Sequence, residues 1–268
     1  MVDYNIFPEG KNAAVTFSYD DGVLQDKRLI EIFNKYGMKA TFHLNSGLTH
    51  NQGRIPADEI KETYKGFEIA CHTVHHPSIA HMPTPSAINE VIDDRRGLEG
   101  LCGYPVRGMS YPNGSVSDEV VSLMKSCGIV YSRTTVDGNY KLPEDFMRWN
   151  PTCHHRDAKE KAEQFLNLIV KPGWRFGLLY IWGHSYEFDQ NLPNNSFEHI
   201  EEVCKMLSGF DNVWYATNIE IYEYVMAQRS LYMTVDEKVI TNPTNIDVWV
   251  NRNGRKEKIP AGQTVIFE

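Results

Sequence analysis

Residues 13–22 read Ala-Ala-Val-Thr-Phe-Ser-Tyr-Asp-Asp-Gly, and this stretch sets the first expectation for the fold. Its first six residues are small, β-branched or aromatic, which is typical of a buried strand. Two adjacent carboxylates, Asp20 and Asp21, follow before Gly22. One interpretation of the pair is an acidic turn. The other is that the turn aims the two side chains in different directions, so that one binds a metal ion and the other faces the water on it.

The order of strand and then helix repeats along most of the chain. Further strands are predicted at 39–44, 67–71, 106–111, 129–132, 177–182 and 213–216. Helices are predicted at 26–36, from an N-cap at Thr84 before Pro85, after Ser117 as far as Gly128, at 158–170, after Ser196, and at 218–228. Repeated strand–helix order implies parallel strands with covering helices, which is an α/β fold.

From Ser230 the pattern changes to short β runs at 231–235, 238–240, 247–250 and 264–267. Arg252-Asn253-Gly254-Arg255 is typical of a tight hairpin turn. We therefore predict a main domain over residues 1–229 and a small antiparallel β appendage over 230–268 that caps an edge of it.

The composition narrows the function classes. The 268 residues carry 27 Lys and Arg against 35 Asp and Glu, a net charge of −8, which argues against a nucleic-acid partner. No apolar stretch approaches the roughly 20 residues of a membrane span, so we expect a soluble globular protein without a membrane partner. The N-terminus lacks the features of a secretory signal. The chain as given predicts a cytoplasmic location, although a processed exported chain would look the same. The five scattered cysteines predict buried, reduced thiols.

Ionisable and polar side chains recur where predicted strands end. Asp20 and Asp21 follow the first strand, His72 follows the strand at 67–71, and His184 follows the strand at 177–182. Arg107 and Tyr111 lie on or just after another short strand. The carboxyl ends of parallel barrel strands share one face, where such barrels place catalysis. We therefore expect these side chains to converge on one site.

The histidines in Cys71-His72-Thr73-Val74-His75-His76-Pro77 are spaced as metal ligands can be. His72 and His76 are four residues apart, so one turn or a tight loop can aim both rings at one point. Surface or packed histidines are the alternative interpretation. The carboxylates after another strand favour the metal site, because a hydrolytic metal ion uses three protein ligands and keeps an open position for water.

The sequence resembles a known family, the NodB-homology polysaccharide deacetylases of carbohydrate esterase family four. Over about residues 11 to 225, five segments carry the resemblance: Thr16-Phe17-Ser18-Tyr19-Asp20-Asp21-Gly22, Gly37-Met38-Lys39-Ala40-Thr41-Phe42, Gly66 to Pro77, Arg107 to Gly114, and Trp182-Gly183-His184. The first motif has two residues inserted after Phe17, and the third is a looser variant of the family's pattern.

The resemblance implies a distorted (β/α) barrel of about seven parallel strands that binds one divalent metal ion, usually zinc. Its implied ligands are Asp21, His72 and His76. Asp20 would be the general base, paired with Arg107, and His184 the general acid.

The backbone N–H of Tyr111 would help to hold the oxyanion. Trp149 and Trp182 are candidate substrate contacts in a stacking platform that could also include Tyr19 and Tyr186; packing in the barrel and its rim is the alternative interpretation of these aromatic residues.

Two positions depart from the family pattern. Arg148, in Asp145-Phe146-Met147-Arg148-Trp149, stands where the family has the aspartate that partners the catalytic histidine, and Ser185 replaces the aspartate that usually follows that histidine. A cation near His184 would lower the pKa of its ring. The carboxylates that could replace the missing partner are Asp137, Glu187 and Asp189.

Three more histidines need an interpretation. His43 lies between apolar neighbours in a predicted strand, and we expect a core or pocket-lining residue. The His154-His155 pair lies in a region that could reach the barrel mouth, where a substrate contact is one alternative and a metal ligand another.

The function predicted from these residues is metal-dependent hydrolysis of an acetyl group, chiefly N-acetyl, on a glycan or amino sugar. One alternative is hydrolysis of a small amide or ureide, as in the allantoinase-like branch of the same superfamily. The other is a barrel that binds glycans without turnover, which Arg148 and Ser185 suggest.

Overall fold

The computed structural model describes residues 1–169 and 176–268, which contain fourteen strands and seven α-helices. The strands are β1 (Val2–Asp3), β2 (Ala13–Asp20), β3 (Ala40–Leu44), β4 (Glu68–Cys71), β5 (Gly108–Ser110), β6 (Tyr131–Arg133), β7 (Cys153–His154), β8 (Gly177–Gly183), β9 (Val213–Tyr215), β10 (Tyr232–Met233), β11 (Val239–Thr241), β12 (Val248–Arg252), β13 (Arg255–Ile259) and β14 (Thr264–Ile266). The helices are α1 (Asp26–Tyr36), α2 (Ile60–Thr63), α3 (Thr84–Cys102), α4 (Asp118–Ser126), α5 (Ala158–Ile169), α6 (Phe197–Leu207) and α7 (Asn218–Arg229).

The parallel strands form one curled sheet in the order β6-β5-β4-β3-β2-β8-β7, and β9 pairs with the N-terminal half of β2. β6 and β7 are the two edge strands of this sheet, and the segment that joins them in sequence partly fills the gap between them. The Trp149 N–H donates to the Ser132 carbonyl (3.0 Å), and the Thr152 N–H donates to the Tyr180 carbonyl (2.7 Å). This arrangement confirms the predicted distorted (β/α) barrel of about seven parallel strands.

β2 is the central strand, and all eight of its residues are buried. Its C-terminal half pairs with β3, where Asp20 lies opposite His43, and with β8, where Tyr19 lies opposite Gly183. Because these strands are parallel, their carboxyl ends reach the same rim of the barrel. The strand register therefore brings Asp20 close to the residues that follow β3 and β8.

The helix caps match the predictions at two of three positions. The side chains of Ser117 and Ser196 accept hydrogen bonds from the N–H groups of Val120 and His199, as expected of N-caps. Thr84 is instead the first helical residue of α3, because the helix begins one position earlier than predicted, and its hydroxyl donates to Glu119. The last predicted residue of the helix at 158–170, Val170, lies outside the described residues.

The C-terminal strands form two three-stranded antiparallel sheets, β1-β12-β13 and β10-β11-β14. The predicted hairpin joins β12 to β13, with Asn253 and Gly254 at positive φ. Apolar residues of these sheets pack against Ala227 of α7, and β1 pairs with β12 across the predicted boundary at 229/230. That boundary stays a prediction.

The five cysteines, all within the described residues, are buried and unpaired. None of the described helices has the length and apolar character that crossing a membrane requires.

Candidate metal and catalytic site

The turn after β2 separates the two adjacent carboxylates. Asp21 has a φ of 83°, in the left-handed region, and Gly22 follows with a φ of 64°. The Asp21 N–H donates to the His43 carbonyl (2.9 Å), which fixes the turn against β3. A positive φ costs free energy for a residue other than glycine, and residues with this conformation concentrate at functional sites. Asp20 stays in the strand, and Asp21 turns toward the histidines after β4.

His72 is held with one ring nitrogen unbound. Its Nδ1 lies 3.0 Å from the Ser110 carbonyl oxygen, which can only accept, so Nδ1 carries the proton. Nε2 is then a free lone pair, and it is buried without a hydrogen-bond partner among the described residues. Burial lowers the pKa of His72 to about 4, against the opposing charges of Asp20 and Asp21. A neutral imidazole with a free nitrogen is the form that binds metal ions.

Asp21, His72 and His76 offer ligand atoms that all lie within 4.8 Å of one another. Asp21 Oδ1 is 3.8 Å from His76 Nε2 and 3.4 Å from the Arg54 guanidinium, but like His72 Nε2 it has no hydrogen-bond partner in the described part of the chain. His76 has a positive φ, as does Thr73. Unpartnered buried polar atoms are costly, so this donor set fits a divalent cation. The structure thus brings the three predicted ligands together.

Asp94 and Asn45 hold the backbone of this loop. Asp94 Oδ2 accepts from the His72 N–H (3.0 Å), and the Asn45 amide donates to the carbonyls of His72 and Thr73. Both supporting side chains are buried. They keep the loop in place without contacting the ligand atoms.

A second cluster, of His154, His155 and Glu187, is also compact enough for a metal ion. Its hydrogen bonds favour a different description. Arg156 donates to His154 Nδ1 (3.2 Å), so Nε2 of that ring carries the proton and donates to Glu187 Oε1 (3.2 Å). His155 Nε2 bonds to Asn195 Oδ1 (2.7 Å). The Nε2 atoms of both rings act as donors, to the part-buried Glu187 and to Asn195, and His155 Nδ1 is the nitrogen of the pair that has no hydrogen-bond partner among the described residues.

Asp20 is buried among donors and cations. Arg133 forms an ion pair with its Oδ2, and the Ser110 hydroxyl donates to its Oδ1 (3.1 Å). Burial alone would raise the pKa of Asp20, but Arg133 and the neighbouring rings of His72 and His43 hold it well below its usual range. His43, predicted as a core or pocket-lining residue, is buried with Nδ1 3.4 Å from Asp20 Oδ1. Asp20 is therefore ionised at neutral pH.

The predicted pairing of Arg107 with Asp20 is wrong. Arg107 precedes β5, at the opposite end of the barrel from the site, and forms an ion pair with Glu223 of α7. Arg133, the last residue of β6, takes the place beside Asp20 instead. The rule that selected the other site residues could have found Arg133, since it follows the predicted strand at 129–132.

His184 lies at the end of β8 with its two nitrogens in different surroundings. Nδ1 donates to Glu187 Oε1 (2.8 Å), and Nε2 lies 3.9 Å from Asp20 Oδ2. Burial lowers the pKa of His184, but the Glu187 hydrogen bond and the carboxylates of Asp20 and Asp21 outweigh it, so the net pKa is raised. Of the three candidate carboxylates, the structure places Glu187 against His184.

The expectation that a cation would lower the pKa of His184 is wrong. Arg148 bonds to Asp118 (2.5 Å) and lies 3.6 Å from Asp145, so its charge is engaged away from His184. Ser185 turns inward, and its hydroxyl donates to buried Asp26 (2.6 Å). The carboxylate that contacts His184 is that of Glu187, three residues after it.

Two of the three predicted substrate contacts are also corrected. The Tyr111 N–H already donates to the Arg133 carbonyl (3.0 Å) in the β5–β6 ladder, so it has no free donor for an oxyanion. Trp149 is 1% exposed and packs edge-on against Tyr131 and Tyr180. Trp182 lies near the site, with the Arg133 guanidinium over its ring at 4.2 Å.

Comparisons with known proteins bear on the same region. Residues 8–132 match the family model described as polysaccharide deacetylase. The chain is 25% identical over 118 residues to the peptidoglycan-N-acetylmuramic acid deacetylase PdaC of Bacillus subtilis, which covers 44% of this chain. It spans about a quarter of the length of that curated relative.

Three solved structures share the fold. A Mycobacterium smegmatis protein described as a polysaccharide deacetylase has a TM-score of 0.61 at 20% identity, covering 83% of this chain and 93% of its own. A structure of PdaC from B. subtilis has a TM-score of 0.53 at 19% identity, covering 84% and 95%.

A family 4 acetyl xylan esterase from Clostridium thermocellum, in complex with a cobalt ion, has a TM-score of 0.53 at 18% identity, covering 78% and 90%. At these identities the likeness concerns the fold. The family match rests on residues 8–132, which include the acidic pair after β2 and the histidines after β4. Residues 8–132 are therefore similar to the polysaccharide deacetylase family, in agreement with the resemblance in the sequence.

Proposed function

We propose that this protein is a metal-dependent hydrolase that removes acetyl groups from a glycan or amino sugar, with N-acetyl as the main linkage and O-acetyl as the other. One observation carries the proposal. An ionised carboxylate, Asp20, and a histidine, His184, lie 3.9 Å apart beside three potential metal ligands. A base, an acid and a cation site in one place are what hydrolysis of an amide or ester needs.

Asp21, His72 and His76 would hold the cation. Two imidazoles and a carboxylate are a typical set for catalytic zinc, and zinc is the ion we propose. When bound, a divalent cation polarises an acyl oxygen and lowers the pKa of coordinated water toward about 7. The cobalt ion in the C. thermocellum esterase supports a site for a divalent transition metal.

Asp20 would act as the general base. Its charge is maintained by Arg133, and Ser110 fixes the orientation of the carboxylate. In hydrolysis of an N-acetyl group, Asp20 takes one proton from the attacking water as the water oxygen bonds to the acyl carbon.

His184 would act as the general acid. Glu187 holds the proton on Nδ1 and favours the charged ring, so Nε2 can give its proton to the leaving nitrogen as the carbon–nitrogen bond breaks. The products are acetate and the free amine. Glu187 would thus take the role for which the sequence offered three candidates.

The two alternative functions, glycan binding without turnover and hydrolysis of a small amide or ureide, have less support than deacetylation. The barrel without turnover was suggested by Arg148 and Ser185, yet His184 retains a carboxylate partner in Glu187. A small amide or ureide would use the same base, acid and ligands. Release of acetate from acetylated chito-oligosaccharides, measured beside hydrolysis of small ureides such as allantoin, separates the two substrate classes.

The test of the metal-dependent reaction replaces the ligands one at a time. His72→Ala and His76→Ala should lose bound zinc, measured by mass spectrometry, together with acetate release. His75→Ala is the matched control, because His75 lies in the same loop but is exposed and bonds to Glu90. Full activity in a variant without metal would contradict the proposal.

A further inference from the structure

The end of β8 and the residues after it present a row of rings. Trp182, His184 and Tyr186 are two residues apart. Trp182 belongs to β8, His184 has extended backbone, and Tyr186 lies in the 3-10 turn that follows. The ring centroids of Trp182 and His184 are 5.7 Å apart, and those of His184 and Tyr186 are 5.2 Å apart. The row runs from buried Trp182 to Tyr186, which is 42% exposed. An exposed aromatic ring therefore borders the candidate acid on the solvent side.

The segment that carries Tyr186 is anchored on both sides of it. Residues Ser185–Gln190 form a 3-10 turn in which Ser185 bonds to Asp26 and Phe188 is buried. Glu187, the next residue, is bound by His184 and His154. A ring held this way loses little freedom when a ligand packs on it.

Packing does not account for the position of Tyr186. Tyr104 is exposed to a similar extent, but its hydroxyl accepts a hydrogen bond from the Ile69 N–H (2.9 Å) and so fixes β4. The Tyr186 hydroxyl has no such bond within the described residues. Burial and the charges of Asp21 and Glu187 raise its pKa, so the hydroxyl is neutral at neutral pH.

We propose that Tyr186 is a specificity-determining residue whose exposed face stacks on a pyranose ring next to the acetyl group that is removed. The inference rests on the proposed function and names the part of the substrate that this side chain recognises. A tyrosine ring offers an apolar face with a polar tip, which suits the C–H face and the hydroxyl rim of a sugar. An acetyl donor without a ring leaves this face unused.

The kinetic test compares Tyr186→Ala and Tyr186→Phe with the wild type on two substrates. With tetra-N-acetylchitotetraose, Tyr186→Ala should raise KM about fivefold with kcat nearly unchanged, and Tyr186→Phe should behave like the wild type because it keeps the stacking face. With vinyl acetate, which has no ring, Tyr186→Ala should lose much less of kcat/KM than it loses with the tetrasaccharide. Tyr232→Ala, at an exposed tyrosine of β10, is the control.

A binding test separates failure of the inference from failure of the proposed function. The Kd of the tetrasaccharide is measured by calorimetry for Asp20→Asn and for Asp20→Asn/Tyr186→Ala, neither of which needs to turn over. A weaker Kd in the double variant supports stacking even if the wild type releases no acetate. Equal Kd values, no binding by either protein, or an equal loss with vinyl acetate would overturn the role of Tyr186.

Discussion

Asp20 keeps a negative charge in a buried position because neighbouring strands supply partners to it. Arg133 of β6 neutralises the carboxylate, and Ser110 of β5 donates a hydrogen bond. Removing one partner of a buried ion pair leaves an uncompensated charge, which costs about 3–5 kcal/mol.

We therefore predict that Arg133→Met lowers kcat on the order of 100-fold or more, because Asp20 would then be protonated more readily. Arg107→Met is the matched control and should keep activity, since Arg107 bonds to Glu223. The measurements are acetate release and thermal unfolding. Loss of activity in Arg107→Met, with Arg133→Met unaffected, would restore the pairing predicted from sequence.

Glu187 sets the charge of His184, and its removal should appear in the pH profile. In Glu187→Gln the pKa of His184 falls, so the protonated acid is lost at a lower pH and the alkaline limb of kcat moves down. We expect kcat to fall about tenfold as well. Asp189→Asn is the control, because Asp189 bonds to Gln25 (2.6 Å). An unchanged alkaline limb in Glu187→Gln would remove Glu187 from this role.

The site residues that follow recognisable strands could be predicted from the sequence. The contacts between side chains from distant segments could not. Asp20, His72 and His184 each follow a strand whose composition is recognisable. Arg107 precedes β5 and Arg133 ends β6, and only the direction and register of those strands show which arginine reaches the carboxylate. Motif spacing carries no such information.

The end of β8 depends on a residue without a side chain. A Cβ on Gly183 would collide with the His155 ring, which stacks on Tyr19 beneath the site. We predict that Gly183→Ala lowers the free energy of unfolding by about 1–3 kcal/mol and displaces His184, which reduces activity.

Gly100→Ala in α3 provides the opposite case. A Cβ there meets nothing within 4 Å, so the substitution should stabilise the helix by about 0.5–1 kcal/mol. Chemical denaturation of both variants measures the difference. Similar stability changes in the two proteins would show that the contact with His155 does not restrict β8.

Elements with a clear apolar pattern were predictable, and charged ones were not. The predicted helix 26–36 coincides with α1, and the strand predicted at 13–18 extends two residues further in β2. β13 was missed because its sequence, Arg-Lys-Glu-Lys-Ile, resembles a solvated turn. Charged residues are common on edge strands, where one side of the strand has no partner, so composition alone does not reveal them.

Glu68 links several elements of the whole molecule through one buried carboxylate. It accepts hydrogen bonds from Tyr131 (2.6 Å), Thr41 (2.7 Å) and the Ile219 N–H (2.9 Å). Burial outweighs these donors and raises the pKa of Glu68 from 4.5 to about 7. Between these two pH values the folded protein keeps a proton that the unfolded chain has lost.

It follows that Glu68 makes the free energy of unfolding fall as the pH rises from about 4.5 to 7. We predict that Glu68→Gln, which has no proton to lose, becomes more stable relative to the wild type as the pH rises through this window. Urea unfolding at several pH values measures the difference. Glu62→Gln, at an exposed position of α2, should follow the wild type, and a constant difference for Glu68→Gln would contradict the linkage.

The pairing of β2 with its neighbouring strands also affects how the chain folds during translation. β8 pairs with β2 from Ala13 to Tyr19 and β9 pairs with its first three residues, whereas β3, the other neighbour of its C-terminal half, emerges soon after it. Contacts between residues so distant in sequence form late. A nascent chain can therefore gather the proposed ligands Asp21, His72 and His76 before His184 has been translated, so that binding of the proposed cation would precede closure of the barrel on the ribosome.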